Sequence, residues 1–278
     1  LIVLGGGAVA VEFAQFFARF RVRVTQIQRS AHVLHAFDGD AAGELEKVFR
    51  REGINLCTGT KLLDARRIGD EKEVAFEHNG QTIRVRAEEI FYALGRVPNI
   101  ASLGLEQIGV RVERRRIVTN DRMQSSLPHV CAAGDCTGLY EIVHIAIQQG
   151  EIAAYNATHA DQPAKTIDHR LDAEVVFTDP QVAVLGLNET CARAEEIPYL
   201  TASYPFIDHG KALCLGATQG FVKLLAAPQT GEILGAQIVG PEAGELIHEL
   251  IAVMYYHGTA ADLMRMPHYH PTLAEIVT

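Results

Sequence analysis

The chain has 278 residues, 48% hydrophobic and 21% charged, an ordinary composition for a globular protein with room for two or more cores. A net charge of −9 argues against general nucleic-acid binding, and no apolar run approaches the length of a membrane span. The five cysteines are odd in number and widely spread, so they are no secreted disulfide framework and point to a reducing, cytoplasmic compartment.

Leu1–Leu4 reads as a buried strand, Gly5-Gly6-Gly7 as a tight turn, and Ala8 to about Phe20 as a helix. The pattern is G-x-G-x-x-A, with Ala10 in the third position. Such a turn presents backbone N–H groups at the positive end of a helix, where a pyrophosphate can sit. A glycine turn that only packs a helix on a sheet is the plainer alternative. The strand begins at the first residue with no methionine before it, which suggests a piece of a longer polypeptide or a processed chain.

Arg21–Ile27 follows as a second strand. Asp38–Glu52 is an amphipathic helix with Asp38 as its cap, Leu45, Val48 and Phe49 as its stripe, and Gly53 as its stop. Ile54–Cys57 is a third strand, and this β-α-β-α-β order implies a parallel sheet. Lys61–Ile68, Glu73–His78 and Thr82–Arg86 then alternate as short strands, with Asn79-Gly80 as a hairpin turn. Glu89–Ala93 returns as an apolar strand, and Gly95 to Asn99 breaks regular structure. In the middle segment, Glu113-Arg114-Arg115-Arg116 suits a solvated hairpin tip, Val130–Ala133 a strand, and Glu141–His159 a helix. From about Thr166 five strands are expected: Glu174–Phe177, Val182–Leu187, Tyr199–Tyr204, Gly220–Ala226 and Glu232–Val239. Helices over Pro241–Tyr256 and Thr259–Met264 then complete an α+β domain.

Three features carry chemistry. The second strand ends Gln28-Arg29, where an acidic residue would bind the ribose hydroxyls of NAD. Neutral Gln28 spares a 2′-phosphate from repulsion and Arg29 could take one, which favours NADP(H) over NAD(H). Gly134-Asp135 follows a strand, and Asp135 could bind a ribose or ribitol hydroxyl or serve only as a turn residue. Near the C-terminus, Pro271 biases His270 toward extended backbone and Thr272 could cap a helix presenting Glu275. That arrangement would return the carboxylate to one ring nitrogen and fix the tautomer of a general acid/base. His268 offers a metal reading with His270, but no carboxylate or cysteine cluster supports it. Cys131 and Cys136 are read as structural thiols.

Five motifs occur in order: Leu-Gly-Gly-Gly-Ala-Val-Ala-Val-Glu (4–12), Ala-Leu-Gly-Arg-Val-Pro-Asn (93–99), Ala-Ala-Gly-Asp (132–135), Val-Phe-Thr-Asp-Pro-Gln-Val-Ala-Val-Leu-Gly (176–186) and His-Pro-Thr-Leu-Ala-Glu (270–275). Together they resemble the flavoprotein disulfide reductases, such as dihydrolipoamide dehydrogenase and mercuric reductase, over nearly the whole chain. The resemblance implies an α/β fold in three parts. Residues 1–97 would be a Rossmann-like NAD(P)-binding domain, 98–166 the C-terminal segment of an FAD-binding domain, and 167–278 an α+β dimer-interface domain. It also implies the site. Gly5, Gly6, Gly7, Ala8, Val9 and Ala10 would form the nicotinamide dinucleotide loop, and Glu12 would pair with a lysine beside the flavin. Gly95 would mark the return to the FAD domain. Gly134 and Asp135 would bind the FAD ribitol, and Val143 and His144 would lie beside the isoalloxazine. His270 and Glu275 would form the acid/base pair, working in the active site of the partner subunit of a homodimer. The implied reaction moves electrons between NADP (or NAD), FAD and a small dithiol/disulfide or metal-ion substrate. The family's first glycine fingerprint and Cys-x-x-x-x-Cys redox pair are not in this sequence, because Cys131–Cys136 overlaps the ribitol motif. The chain is therefore expected to be incomplete for catalysis. The alternative is a truncated or degenerate homologue that binds a nucleotide and dimerises without redox activity.

Overall fold

The computed structural model describes residues 1–278. These form two compact units: Leu1–Gly95 together with Ala173–Thr278, and Arg96–Asp172.

The first part of the larger unit is a four-stranded parallel sheet. It contains β1 (Ile2–Leu4), β2 (Thr25–Ile27) and β3 (Asn55–Cys57), and later β7 (Ile90–Tyr92), in the order β3-β2-β1-β7. All three residues of β1 are buried, as a central parallel strand covered on both faces requires. Helix α1 (Ala8–Arg19) buries Ala10, Val11, Ala14 and Gln15, while Val9, Phe13, Phe16 and Phe20 form an exposed stripe. Helix α2 (Gly39–Arg51) buries Ala41, Ala42, Leu45, Val48 and Phe49, the stripe its spacing demands. Between β3 and β7 the chain leaves as an antiparallel sheet of β4 (Lys61–Ile68), β5 (Glu71–His78) and β6 (Gln81–Ala87). Val74 and Phe76 of β5 face the core. On the opposite face Glu73 accepts hydrogen bonds from Arg66, Arg84 and Arg86 at 2.8–3.2 Å.

The rest of this unit is a five-stranded antiparallel sheet of β10 (Ala173–Val176), β11 (Gln181–Gly186), β12 (Leu200–Pro205), β13 (Phe221–Ala226) and β14 (Ile233–Gly240), in the order β10-β11-β14-β13-β12. Its helices are α4 (Glu189–Ala194), α5 (Gly210–Leu215), α6 (Ala243–Tyr255) and α7 (Ala260–Arg265). Helix α6 packs on β11 and β14 through Ile247, Leu250 and Met254. The smaller unit holds the two-stranded ribbon of β8 (Val112–Glu113) and β9 (Arg116–Ile117), and helix α3 (Val143–Thr158). Arg114 and Arg115 form the ribbon's tip, both in the left-handed region.

Some sequence expectations change. The second strand is only three residues long. The end of α1 takes up the residues before it: Arg21 turns left-handed, and its N–H and that of Val22 bond back to Ala18 and Phe17. Val130–Ala133 is not a strand; only a single bridge joins Cys131 to Gln124. Helices α4 and α5 were not anticipated. Each is six residues long, too short for a periodic stripe, and each is capped by the residue before it, Asn188 or His209. Asp38 stands at the start of α2, but its side chain does not cap the helix.

Candidate functional site

The glycine turn forms the floor of a cleft of about 560 Å³ at the carboxyl ends of β1 and β2. Gly5 has φ +123°, and a Cβ there would lie 2.2 Å from the carbonyl oxygen of Ala93, so the strand-to-turn step needs glycine. A Cβ on Gly6 would lie 2.6 Å from the Gln28 side chain, whereas one on Gly7 would meet nothing within 4 Å. The turn is thus packed from behind and open in front. No side chain caps α1 and no acidic residue stands in its first turn, so the positive end of the helix faces the cleft unopposed.

The walls add Gln28, Arg29, Ser30, His35, Lys61 and Gly95, and no lining residue is acidic. Gln28 is buried, and its Oε1 accepts a hydrogen bond from the Arg29 N–H at 3.0 Å. Arg29, His35 and Lys61 are exposed side chains on the rim. Of these wall residues, Gln28, Arg29 and Gly95 were foreseen. His35 and Lys61 arrive from a loop and from β4, where no local motif marks them. A cradle with a free glycine face, a helix N-terminus and cations but no carboxylate fits the phosphates of a dinucleotide.

Of the other residues of the fingerprint, Ala8 and Val9 begin α1 outside the cleft lining. Ala10 is fully buried and packs the helix on the sheet. Glu12 points toward the antiparallel sheet, where its Oε1 accepts a hydrogen bond from the Phe177 N–H at 2.8 Å. Burial, and then the neighbouring Glu12, push the Glu174 carboxyl above its usual range.

At the chain's C-terminal end, His270 Nδ1 lies 2.8 Å from Glu275 Oε1. The other carboxylate oxygen accepts from the Thr272 N–H, also at 2.8 Å. Thr272 is therefore not the expected cap. Leu273 precedes the closing 3₁₀ turn (Ala274–Val277), and Glu275 reaches back over it to hold Thr272. These two bonds, Thr272 first and His270 second, lower the Glu275 pKa, and the nearby buried His209 adds to the effect. His270 is 81% exposed, so its far side is open. His268 instead turns inward, with Nε2 2.7 Å from Glu249 and Nδ1 bonded to the Met266 carbonyl. The two histidines do not form a metal pair, and no group of three or more His, Cys, Asp or Glu side chains is arranged to hold a metal ion.

In the smaller unit, Gly134 has φ +75° and opens a 3₁₀ turn (Gly134–Thr137). Asp135 is ion-paired with Arg96, which also lies 3.6 Å from Glu141. Val143 and His144 are exposed in the first turn of α3. The Gly134 N–H donates to buried Gln149 at 2.7 Å, and the Nε2 of that glutamine has no partner in the protein. A buried donor left without a partner beside Gly134-Asp135 is a group that a bound hydroxyl would satisfy. Sequence reasoning did not single out Gln149. Cys131 and Cys136 are free thiols, the latter bonded to the Ala133 carbonyl.

The larger unit thus joins a glycine-turn cleft on a parallel sheet to an antiparallel sheet and its helices, with a His–Glu pair at the chain's C-terminal turn. The chain belongs to the pyridine nucleotide-disulphide oxidoreductases: the family profile of that description matches residues 1–150, and the profile of the family's dimerisation domain matches 173–278. It is 34% identical over 277 residues to the dihydrolipoyl dehydrogenase of Geobacillus stearothermophilus, covering 99% of this chain and 58% of that protein. The dihydrolipoyl dehydrogenase of Thermus scotoductus is 36% identical, with 99% and 59% covered. Among solved structures, LpdA from Mycobacterium tuberculosis superimposes with a TM-score of 0.89 at 30% identity, covering 100% of this chain and 60% of that one. The flavoprotein disulfide reductase RclA from Escherichia coli shares the fold, with a TM-score of 0.86 at 24% identity and with 99% and 62% covered. The chain thus spans less than two thirds of the length of these relatives. No helix is long and apolar enough to cross a membrane.

Proposed function

We propose that the chain is the nucleotide-binding and interface portion of a cytoplasmic, homodimeric, FAD-dependent oxidoreductase. It passes electrons between a nicotinamide dinucleotide and a small dithiol/disulfide or metal-ion substrate. The observation that carries this reading is the acid-free glycine cleft, which has the shape and charge for a dinucleotide. Residues 1–97 serve as the NAD(P)-binding domain, 98–166 as part of the FAD domain and 167–278 as the interface domain. The separate compact unit Arg96–Asp172 supports a distinct middle part, while the first and last parts pack as one unit.

Each group has a role. The backbone of Gly5, Gly6 and Gly7 holds the pyrophosphate. Arg29, with Lys61 and His35 on the same rim, draws a 2′-phosphate, so NADP(H) binds in preference to NAD(H). FAD, when bound, accepts electrons two at a time and passes them between the nucleotide and a thiol pair. Gly134, Asp135, Val143 and His144 would hold it, and Glu12 would answer its lysine neighbour. Glu275 fixes the His270 ring with Nδ1 protonated, and the outer Nε2 moves the proton of a substrate thiol, in the active site of the partner subunit. The 278 residues alone do not complete this cycle.

The test is titration of the chain with NADPH and NADH, followed by nicotinamide fluorescence. Saturable binding, tighter for NADPH, is expected. Tighter NADH binding would overturn the reading of Gln28 and Arg29, and no binding of either would overturn the nucleotide site. Sequencing the gene upstream of Leu1 tests the whole enzyme: a second glycine fingerprint and a Cys-x-x-x-x-Cys pair are expected there.

A further inference from the structure

The most charged buried point in the larger unit lies outside the cleft. Lys223 on β13 is 3% exposed, yet its ammonium donates to Asp38 at 2.8 Å, Asp40 at 2.9 Å and Glu189 at 3.1 Å. Asp38, just before α2, accepts from Lys223, from Gln237 on β14 at 2.6 Å, and from Thr190 and Glu189 at the start of α4. Every one of these donors belongs to the antiparallel sheet or its helices, while Asp38 belongs to the nucleotide fold. Burial works against both charges, but their hydrogen bonds outweigh it: the Asp38 carboxyl is held low and the Lys223 ammonium high.

The segment before Asp38 runs straight into the cleft. Arg29, Ser30 and His35 line it. The Leu34 N–H donates to the Gly6 carbonyl at 2.6 Å, and the Phe37 N–H to the Leu34 carbonyl at 2.8 Å. Val33, Leu34 and Phe37 are buried in the core, so the segment is stiff. Asn188 at the start of α4 donates to the Ala36 carbonyl at 3.0 Å. One end of the strap therefore sets the glycine turn and the rim histidine, and the other is pinned by the interface sheet. Without the lysine, the buried Asp38 carboxylate would face those of half-exposed Asp40 and partly buried Glu189 with no cation between them, and the strap's anchor would move.

We propose that Lys223 is a positioning residue for the nicotinamide nucleotide, acting through Asp38 and residues 29–37 on the glycine turn and the cleft rim. This rests on the dinucleotide reading of the cleft. The experiment uses the full-length, flavin-loaded protein. Lys223→Met is expected to raise the KM for NADPH about tenfold with kcat little changed, and Lys223→Arg to restore it. Asp40→Asn removes one negative charge beside Lys223 without touching the strap, and should lower the melting midpoint while leaving KM alone. Asn188→Ala, at an exposed contact, should raise KM about threefold and serves if Lys223→Met fails to fold. A lowered melting midpoint with unchanged KM in both Lys223→Met and Asn188→Ala would overturn the inference, as would an unchanged KM in Asn188→Ala alone if the lysine variant does not fold. Failure of the unsubstituted protein to bind any dinucleotide would sink the functional reading instead. Amide exchange across residues 30–38 then decides: faster exchange in Lys223→Met supports the link, and unchanged exchange refutes it.

Discussion

The glycine cleft and the His270–Glu275 pair are built by opposite means. The cleft is made by backbone: a forced φ at Gly5, a packed rear face at Gly6 and an open face at Gly7. The pair is made by two side chains at an exposed turn, tied together and to the Thr272 N–H. A backbone site is complete once the fold is complete. An exposed pair orients one ring and leaves the rest of its surroundings to be supplied from outside. In the proposed reading, the larger unit therefore holds the nucleotide site whole and supplies one component of a reaction site.

Substitutions can sharpen this contrast. In the full-length enzyme His270→Ala should lower turnover by about 10²–10⁴-fold with nucleotide affinity unchanged. Steady-state rates beside a nucleotide titration check it, and a rate near that of the unsubstituted enzyme would make the pair structural. Gly6→Ala should do the reverse. Its Cβ would press on Gln28, costing about 1–3 kcal/mol and weakening NADPH binding by roughly 5- to 100-fold. If titration shows undiminished affinity, the cleft does not depend on the turn's backbone. Lys61→Ala is milder, since it removes one exposed cation from the rim: NADPH should bind roughly three- to tenfold more weakly and NADH equally well. An equal loss for both nucleotides would place Lys61 on the pyrophosphate.

The smallest effect lies away from both sites. Arg86, Arg66 and Arg84 hold the Glu73 carboxyl down at about 2. Its pKa in the unfolded chain is about 4.3, so the stabilisation is fully present above that pH and fades as pH falls toward the folded value. Melting midpoints of the unsubstituted protein and Glu73→Gln should therefore differ at pH 7 and converge as the pH is lowered toward 2.5. A constant gap would show that the clasp acts through packing.

What the sequence disclosed follows from how local each feature is. The glycine turn, the stripe of α2 and the Asn79-Gly80 hairpin depend on neighbours in the chain, so their residues announce them. The His270–Glu275 pair is also local, closing over five positions, although the detail was misread: Glu275 holds Thr272 rather than Thr272 capping a helix. Asp38 looked like a helix cap because that role is written in the next three residues. Its actual partners, Glu189, Thr190, Lys223 and Gln237, lie 151–199 positions away. Lys61 and His35 were invisible for the same reason: each reaches the cleft through the fold, with no spacing to signal it. Gln149 is similar, an ordinary helix residue until Gly134 is packed against it.

The carboxylate of Glu275 is occupied on both oxygens, one by the His270 ring and one by the Thr272 N–H. It cannot swing away to share a different proton, and the imidazole cannot flip without breaking its bond. Electrophiles that acylate histidine would therefore find a single reactive nitrogen at position 270, on the solvent side. The modified product should carry its label on Nε2 alone.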